Sequence, residues 1–136
     1  MKSFQVEILT PSKSFLNTES TCVTLPGSLG GFQVLYNHAP IISTLEIGKI
    51  VVKDLEGKDT IYANTEGSVE VVNNKVLILV NSIEKAEAID TKRAEAALER
   101  AKSRLAKKHD EEIDEIRAEA ALNRAMNRLK VSSYIH

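Results

Sequence analysis

Arg93, Arg100 and Arg104 follow one another at spacings of seven and four residues. On a helix turning 100° per residue they lie within about 40° of one another. Arg117, Arg124 and Arg128 repeat the pattern 24 residues later. Guanidinium forks grip phosphate or carboxylate through paired hydrogen bonds, so two such rails could form an anion site or face an acidic partner. The alternative is a solvated face, since Arg is a good helix former and Glu95, Glu99 and Glu119 sit nearby at helical spacing. Asp90 also has two readings. Its carboxylate can cap a helix N-terminus, an interaction worth ~1 kcal/mol, or accept a hydrogen bond from a ligand's amino or hydroxyl group.

Other reactive side chains give no catalytic pattern. His38, His109 and His136 have no metal-ligand spacing, no Ser lies in a G-x-S-x-G setting, and PGSLGG at 26–31 does not match a P-loop. NHAP at 37–40 suits a turn with a structural His; a metal or general-base role for His38, and with it a small enzyme, has no partner residue to name. Cys22 is the single cysteine, which excludes an intrachain disulfide and a Cys-based metal site. In TCVTL it reads as a buried strand residue.

The elements that must position these residues change character near residue 85. Before it, Phe4, Val6 and Ile8 alternate with polar neighbours, as do Val69 and Val71, while VLILV at 76–80 reads as a strand buried on both faces. Turn signals recur at TP (10–11), PGSLGG, DLEGKD (54–59), NTEG (64–67) and VNNK (72–75). Short strands with frequent turns predict a β-sandwich or flattened barrel over residues 1–86.

From 87 to 136, Ala, Glu, Lys and Arg replace the β-branched residues and the period becomes helical. Asp90 suits an N-cap, followed by a stripe of Ala94, Ala97, Leu98, Ala101 and Leu105; Asp114 suits a second cap, followed by Ala118, Ala121, Leu122, Ala125 and Leu129. IDTKRAEAALERAKSRL (89–105) and IDEIRAEAALNRAMNRL (113–129) agree at twelve of seventeen positions. Two such helices joined by the polar KKHDEE turn form an antiparallel hairpin with arms of ~25 Å, at about 1.5 Å per residue. An alanine stripe buries little area, so the pairing is weak and the hairpin can serve as a switch. The expected architecture is a β-sandwich followed by a helical hairpin.

The 136 residues and 15.0 kDa allow one modest core plus a helical appendage. A net charge of -1 argues against a nucleic-acid coat. The tail is the basic part: from Ile89 onward there are eleven Lys or Arg against nine Asp or Glu, and seven against ten before it. No run approaches the roughly 20 apolar residues of a spanning helix, and MKSFQVEILTP lacks a secretory core. The expectation is a protein of the cytosolic compartment without direct membrane insertion.

VEILTP (6–11), LPGSLGGFQVLYNHAPIISTLEIG (25–48), EGSVEVVNNKVLILVNS (66–82), IDTKRA and NRAMNRL together resemble, in order and spacing, the epsilon subunits of bacterial F-type ATP synthases. The resemblance implies a non-catalytic central-stalk subunit coupling proton transport to ATP synthesis. Its sandwich would bind the gamma subunit and sit against the c-subunit ring. Its hairpin would either fold or extend along gamma into the alpha/beta catalytic head and inhibit ATP hydrolysis, with the basic second helix meeting an acidic segment of beta. The place implied is peripheral, on the cytoplasmic face of the bacterial plasma membrane. No cofactor is required, but some members bind ATP as a regulatory ligand, with the signature Ile/Leu-Asp-x-x-Arg-Ala. Ile89, Asp90, Arg93 and Ala94 match it, joined by Glu84 upstream and by Arg100, Arg124 and Arg128. The resemblance assigns Glu84 and Asp90 to the adenine or ribose side and the arginines to the phosphates. The sequence departs from the family at Gln33 and Tyr36, where relatives often carry Gly and Pro. A free-standing ATP-sensing module is the alternative function.

Overall fold

A computed structural model describes residues 2–106 and 112–135, with side chains in the second span from residue 115. It divides into two compact units, Met1–Lys85 and Ala86–His136.

The first unit is two five-stranded sheets. One has the order β2-β1-β9-β8-β5, from β1 (Phe4–Thr10), β2 (Lys13–Ser20), β5 (Ile41–Leu45), β8 (Gly67–Val72) and β9 (Lys75–Val80). The other has the order β10-β7-β6-β3-β4, from β3 (Cys22–Leu25), β4 (Phe32–Val34), β6 (Gly48–Lys53), β7 (Asp59–Asn64) and β10 (Ile83–Lys85). The pairs are antiparallel except β1 with β9, which run parallel from Gln5↔Lys75 to Leu9↔Leu79. Alternation sends Phe4, Val6, Ile8, Val69, Val71, Val76 and Ile78 inward from the first sheet and Val23, Leu25, Ile50, Val52 and Tyr62 inward from the second, all buried. Phe15 closes one side, its ring edge-on to Tyr62 at 5.7 Å.

VNNK forms the expected turn. Asn73 and Asn74 have φ of 48° and 58°, the left-handed pair that a two-residue hairpin loop requires and Asn tolerates. Two expectations need correction. VLILV is not buried on both faces: Leu77 is half-buried and Leu79 is 44% exposed, because β9 alternates strictly and its sheet leaves the outer face open. Cys22 is half-buried rather than buried, since Val23 and Leu25 take the inward positions of β3.

The second unit opens with a 3-10 turn at Ala86–Ala88, then α1 (Thr91–Ala106) and α2 (Glu112–Ser132), which pack together. Ala94 and Ala101 on α1 and Ala118 and Ala125 on α2 are buried to 2% exposure or less, while Ala97, Leu98, Leu105, Ala121, Leu122 and Leu129 are half-buried. The four buried alanines occupy equivalent places in the 24-residue repeat, so the duplicated sequence is a duplicated seam. Asp114 is the third residue of α2 and not its N-cap, because the helix begins at Glu112. The KKHDEE connection, apart from its final Glu, lies outside the described residues, as do His109 and His136.

Candidate functional site

The IDTKRA stretch resolves residue by residue. Ile89 is 5% exposed and Ala94 fully buried, so the first and last residues of the motif are packing positions. Asp90 caps α1: its Oδ1 accepts a hydrogen bond from the Arg93 backbone N–H at 3.0 Å, and its carbonyl accepts from the Ala94 N–H at 2.9 Å. The cap uses one carboxylate oxygen. The other has no protein donor among the described residues, so a cap and a ligand acceptor are compatible in one side chain. Replacing Asp90 with Ala should therefore lower helix stability by about 1 kcal/mol, whereas Asn should retain most of it. Far-UV circular-dichroism melts compare the two, and an Ala variant melting with the parent would refute the cap.

Arg93, Arg100 and Arg124 are exposed, and none has an ion pair among the described residues; Arg128 is half-buried and engaged. The ion pair within α1 joins Lys102 to Glu99 at 4.0 Å and uses no arginine. The salt-bridged reading of the rails thus fails for Arg93, Arg100 and Arg124. An exposed guanidinium without a carboxylate keeps its donors for an anion. Glu84 stands apart in the first unit, on β10 opposite Ala63, half-buried and engaged.

The sandwich offers a different kind of surface. On the outer face of the first sheet, Leu9 pairs with Leu79, and Ile42 is 78% exposed on the edge strand β5. Glu7, Leu77, Glu70 and Ile42 form one cross-strand row on that face, with Glu7 bound to Lys75 at 3.5 Å. A cleft of about 400 Å³ beside it is lined by Leu9, Pro11, Glu66, Gly67 and Leu79. Uncovered apolar side chains in a sheet face rimmed by carboxylates suit a protein partner. Periodicity does not reveal this face, because a two-sided apolar strand and a strand carrying an interface are written alike.

The remaining stretches are structural. In PGSLGG, the Gly30 N–H donates to the Gly27 carbonyl at 3.0 Å and the Ser28 N–H to the Thr44 carbonyl at 3.0 Å, so these two amides are committed to backbone. His38 Nδ1–H donates to the Ala39 carbonyl at 2.7 Å, which makes the ring part of its turn. Among the described residues no three His, Cys, Asp or Glu side chains gather as metal ligands, and no helix is long and apolar enough to cross a membrane.

Comparison with known proteins covers both units. Residues 3–86 match the family model of the ATP synthase delta/epsilon chain, beta-sandwich domain, and residues 87–133 that of the ATP synthase delta/epsilon chain, long alpha-helix domain. The ATP synthase epsilon chain of Pelotomaculum thermopropionicum is 45% identical over 107 residues, 79% of each chain. The chloroplastic ATP synthase epsilon chain of Tetradesmus obliquus is 44% identical over 105 residues, 77% of this chain and 76% of that one. A chain in the OSCP/F1/c-ring structure of the Euglena gracilis mitochondrial ATP synthase superposes with a TM-score of 0.84 at 21% identity, over all of this chain and 83% of that one, a likeness of fold.

Proposed function

The chain belongs to the delta/epsilon chain family of ATP synthase, whose epsilon members are non-catalytic, and from that membership we propose that it is a rotor subunit with a nucleotide-sensitive hairpin. The sandwich docks on the gamma subunit and the c-subunit ring, at the cytoplasmic face of the bacterial plasma membrane. Its uncovered outer sheet face supports a protein-docking role. The related fold in Euglena comes from an F1/c-ring assembly, and one in Tetrahymena thermophila, at a TM-score of 0.57, from a central stalk/c-ring assembly.

The hairpin folds when ATP occupies it and otherwise extends toward the alpha/beta head, where it inhibits hydrolysis. One observation carries this reading: a seam of four buried alanines joins two helices whose exposed Arg93, Arg100 and Arg124 have no carboxylate to neutralise them among the described residues. Like charges disfavour the closed form until an anion arrives, and a weak seam lets that anion decide the balance. ATP bound only to the closed form stabilises it by ~2.7 kcal/mol at a hundredfold excess over Kd. Asp90 faces the nucleoside, and Arg93, Arg100, Arg124 and Arg128 hold the phosphates.

Calorimetric titration of the full chain with ATP tests this. Arg124→Ala and Arg128→Ala should each weaken binding about tenfold or more, the order of one lost charge-assisted hydrogen bond. Unchanged affinity in both variants would remove the arginines from the site.

A further inference from the structure

α2 packs along α1 and also against the 3-10 turn at Ala86–Ala88. The turn precedes α1, so the end of α2 that reaches it is the C-terminal one, as an antiparallel pair requires. Side chains are buried on both sides of this second contact: Ala86 at 1% and Ile89 at 5% exposure, Val131 at 1% and Ser132 at 2%. Val131 is not a seam residue. It lies six residues past Ala125, about 120° around the helix from the seam, and is buried only because another surface meets it there. The chain next to that surface is the IDTKRA motif. The Ile89 N–H donates to the Ala86 carbonyl at 3.2 Å, which winds the turn. Asp90 follows directly, its carbonyl accepting from the Ala94 N–H at 2.9 Å and its Oδ1 from the Arg93 N–H at 3.0 Å. Ile89 is thus packed into a buried contact while its neighbour keeps one carboxylate oxygen for a ligand.

We propose that Val131 is a positioning residue: the C-terminal turn of α2 clasps the turn at Ala86–Ile89 and so fixes where Asp90 presents its carboxylate to a nucleotide; this rests on the ATP-binding reading above. Seam and clasp then have separate tasks. The alanine seam brings the two arginine rails together, and the clasp sets the nucleoside end of the site. Opening the clasp exposes Val131 and Ile89, which is what keeps it shut. A clasp formed only part of the time lowers the apparent ATP affinity by that fraction, with Asp90 and every arginine unchanged.

The test combines calorimetric titration of the full chain with ATP, amide hydrogen exchange at Ile89 and Ala94, and the distance between spin labels at Lys102 and Met126. Val131→Ala deletes buried γ-methyl groups and leaves a cavity at the contact. It should weaken ATP binding about fivefold and speed exchange at Ile89 and Ala94 by a similar factor, while exchange at Ala101 and the spin-label distance stay parental. Ile116→Ala removes a larger side chain from a 75% exposed position of the same helix and should leave all readings parental. Parental ATP affinity in Val131→Ala overturns the positioning role. So does weakened binding with parental exchange, which would put Val131 against the ligand, and so does a lengthened spin-label distance, which would make it part of the closure of the seam. An Ile116→Ala variant as weak as Val131→Ala also overturns it, since the loss would then belong to the whole helix. Failure of the parent chain to bind ATP overturns the nucleotide reading and the positioning role with it, whereas faster exchange at Ile89 and Ala94 in Val131→Ala would still establish the clasp as a packing contact.

Discussion

Gly67→Ala should destabilise the sandwich by about 3 kcal/mol, the upper range for overpacking a core, and lower its melting midpoint by roughly 10–20 °C. Gly67 opens β8 and faces Val80 on β9 and Leu45 on β5. A Cβ built there lies 2.0 Å from the Leu79 carbonyl oxygen and 2.8 Å from Val80 Cγ1. The nearer obstacle is backbone. No rotamer change moves it, so β8 must separate from β9 at its first pair, and the strain spreads to the β5 edge. Gly57 supplies the control. It has φ 86° with nothing within 4 Å of the place a methyl group would take, so Gly57→Ala meets conformational strain alone, about 1–2 kcal/mol. Chemical denaturation followed by circular dichroism should rank the two that way; a Gly67→Ala protein within ~0.5 kcal/mol of the parent would show that the strands yield without cost.

The contrast bears on what a sequence can disclose. The NTEG glycine is legible as a turn signal, and the turn is there, but the reason glycine is needed is the approach of Leu79 from another strand. Features set by neighbours along the chain are readable for the same reason that this one is not. Asn73 and Asn74 announce a left-handed turn through their own chemistry, and Asp90 announces a cap three residues ahead of the amide it binds. The parallel β1–β9 pair joins residues about 70 apart, and nothing within either strand encodes it. VLILV misleads for a related reason: composition shows that both sides of β9 are apolar, whereas only the assembled sheet shows that one side is left uncovered. In the candidate site the repeat marks the seam, since Ala94, Ala101, Ala118 and Ala125 are both its equivalent positions and its buried ones. Whether the arginines have carboxylate partners is a matter of side-chain geometry, and helical spacing leaves both answers open. The hydrogen bonds between Asn37 and Asn74 join two turns with four strands between them along the chain, so each residue reads as an ordinary turn residue on its own.

Ala101→Leu should open the hairpin. Ala101 is 1% exposed, and helices meeting over alanine approach near the short end of the 8–10 Å range of interaxial distances. A leucine there must push α2 away or adopt a strained rotamer, at a cost of up to about 3 kcal/mol. The four buried methyls contribute roughly 0.8 kcal/mol each, and ordering the half-buried leucines and long charged side chains offsets part of that sum. With a net closing free energy of about 1–2 kcal/mol, the substitution leaves about one molecule in ten closed, or fewer. If ATP binds only the closed hairpin, its apparent affinity falls by the same factor of about ten, although no arginine has changed. In reassembled ATP synthase, the variant should hold hydrolysis inhibited at ATP concentrations that release the parent. Ala96→Leu makes the same chemical change on the exposed side of α1 and should alter stability by less than about 0.5 kcal/mol, with ATP affinity and inhibition as in the parent. Distances between spin labels at the exposed positions Lys102 and Met126 report closure directly. Parental distances with weakened ATP binding would place Ala101 in the nucleotide site itself, and parental distances with parental binding would mean that the seam accommodates leucine and is not what holds the switch near balance.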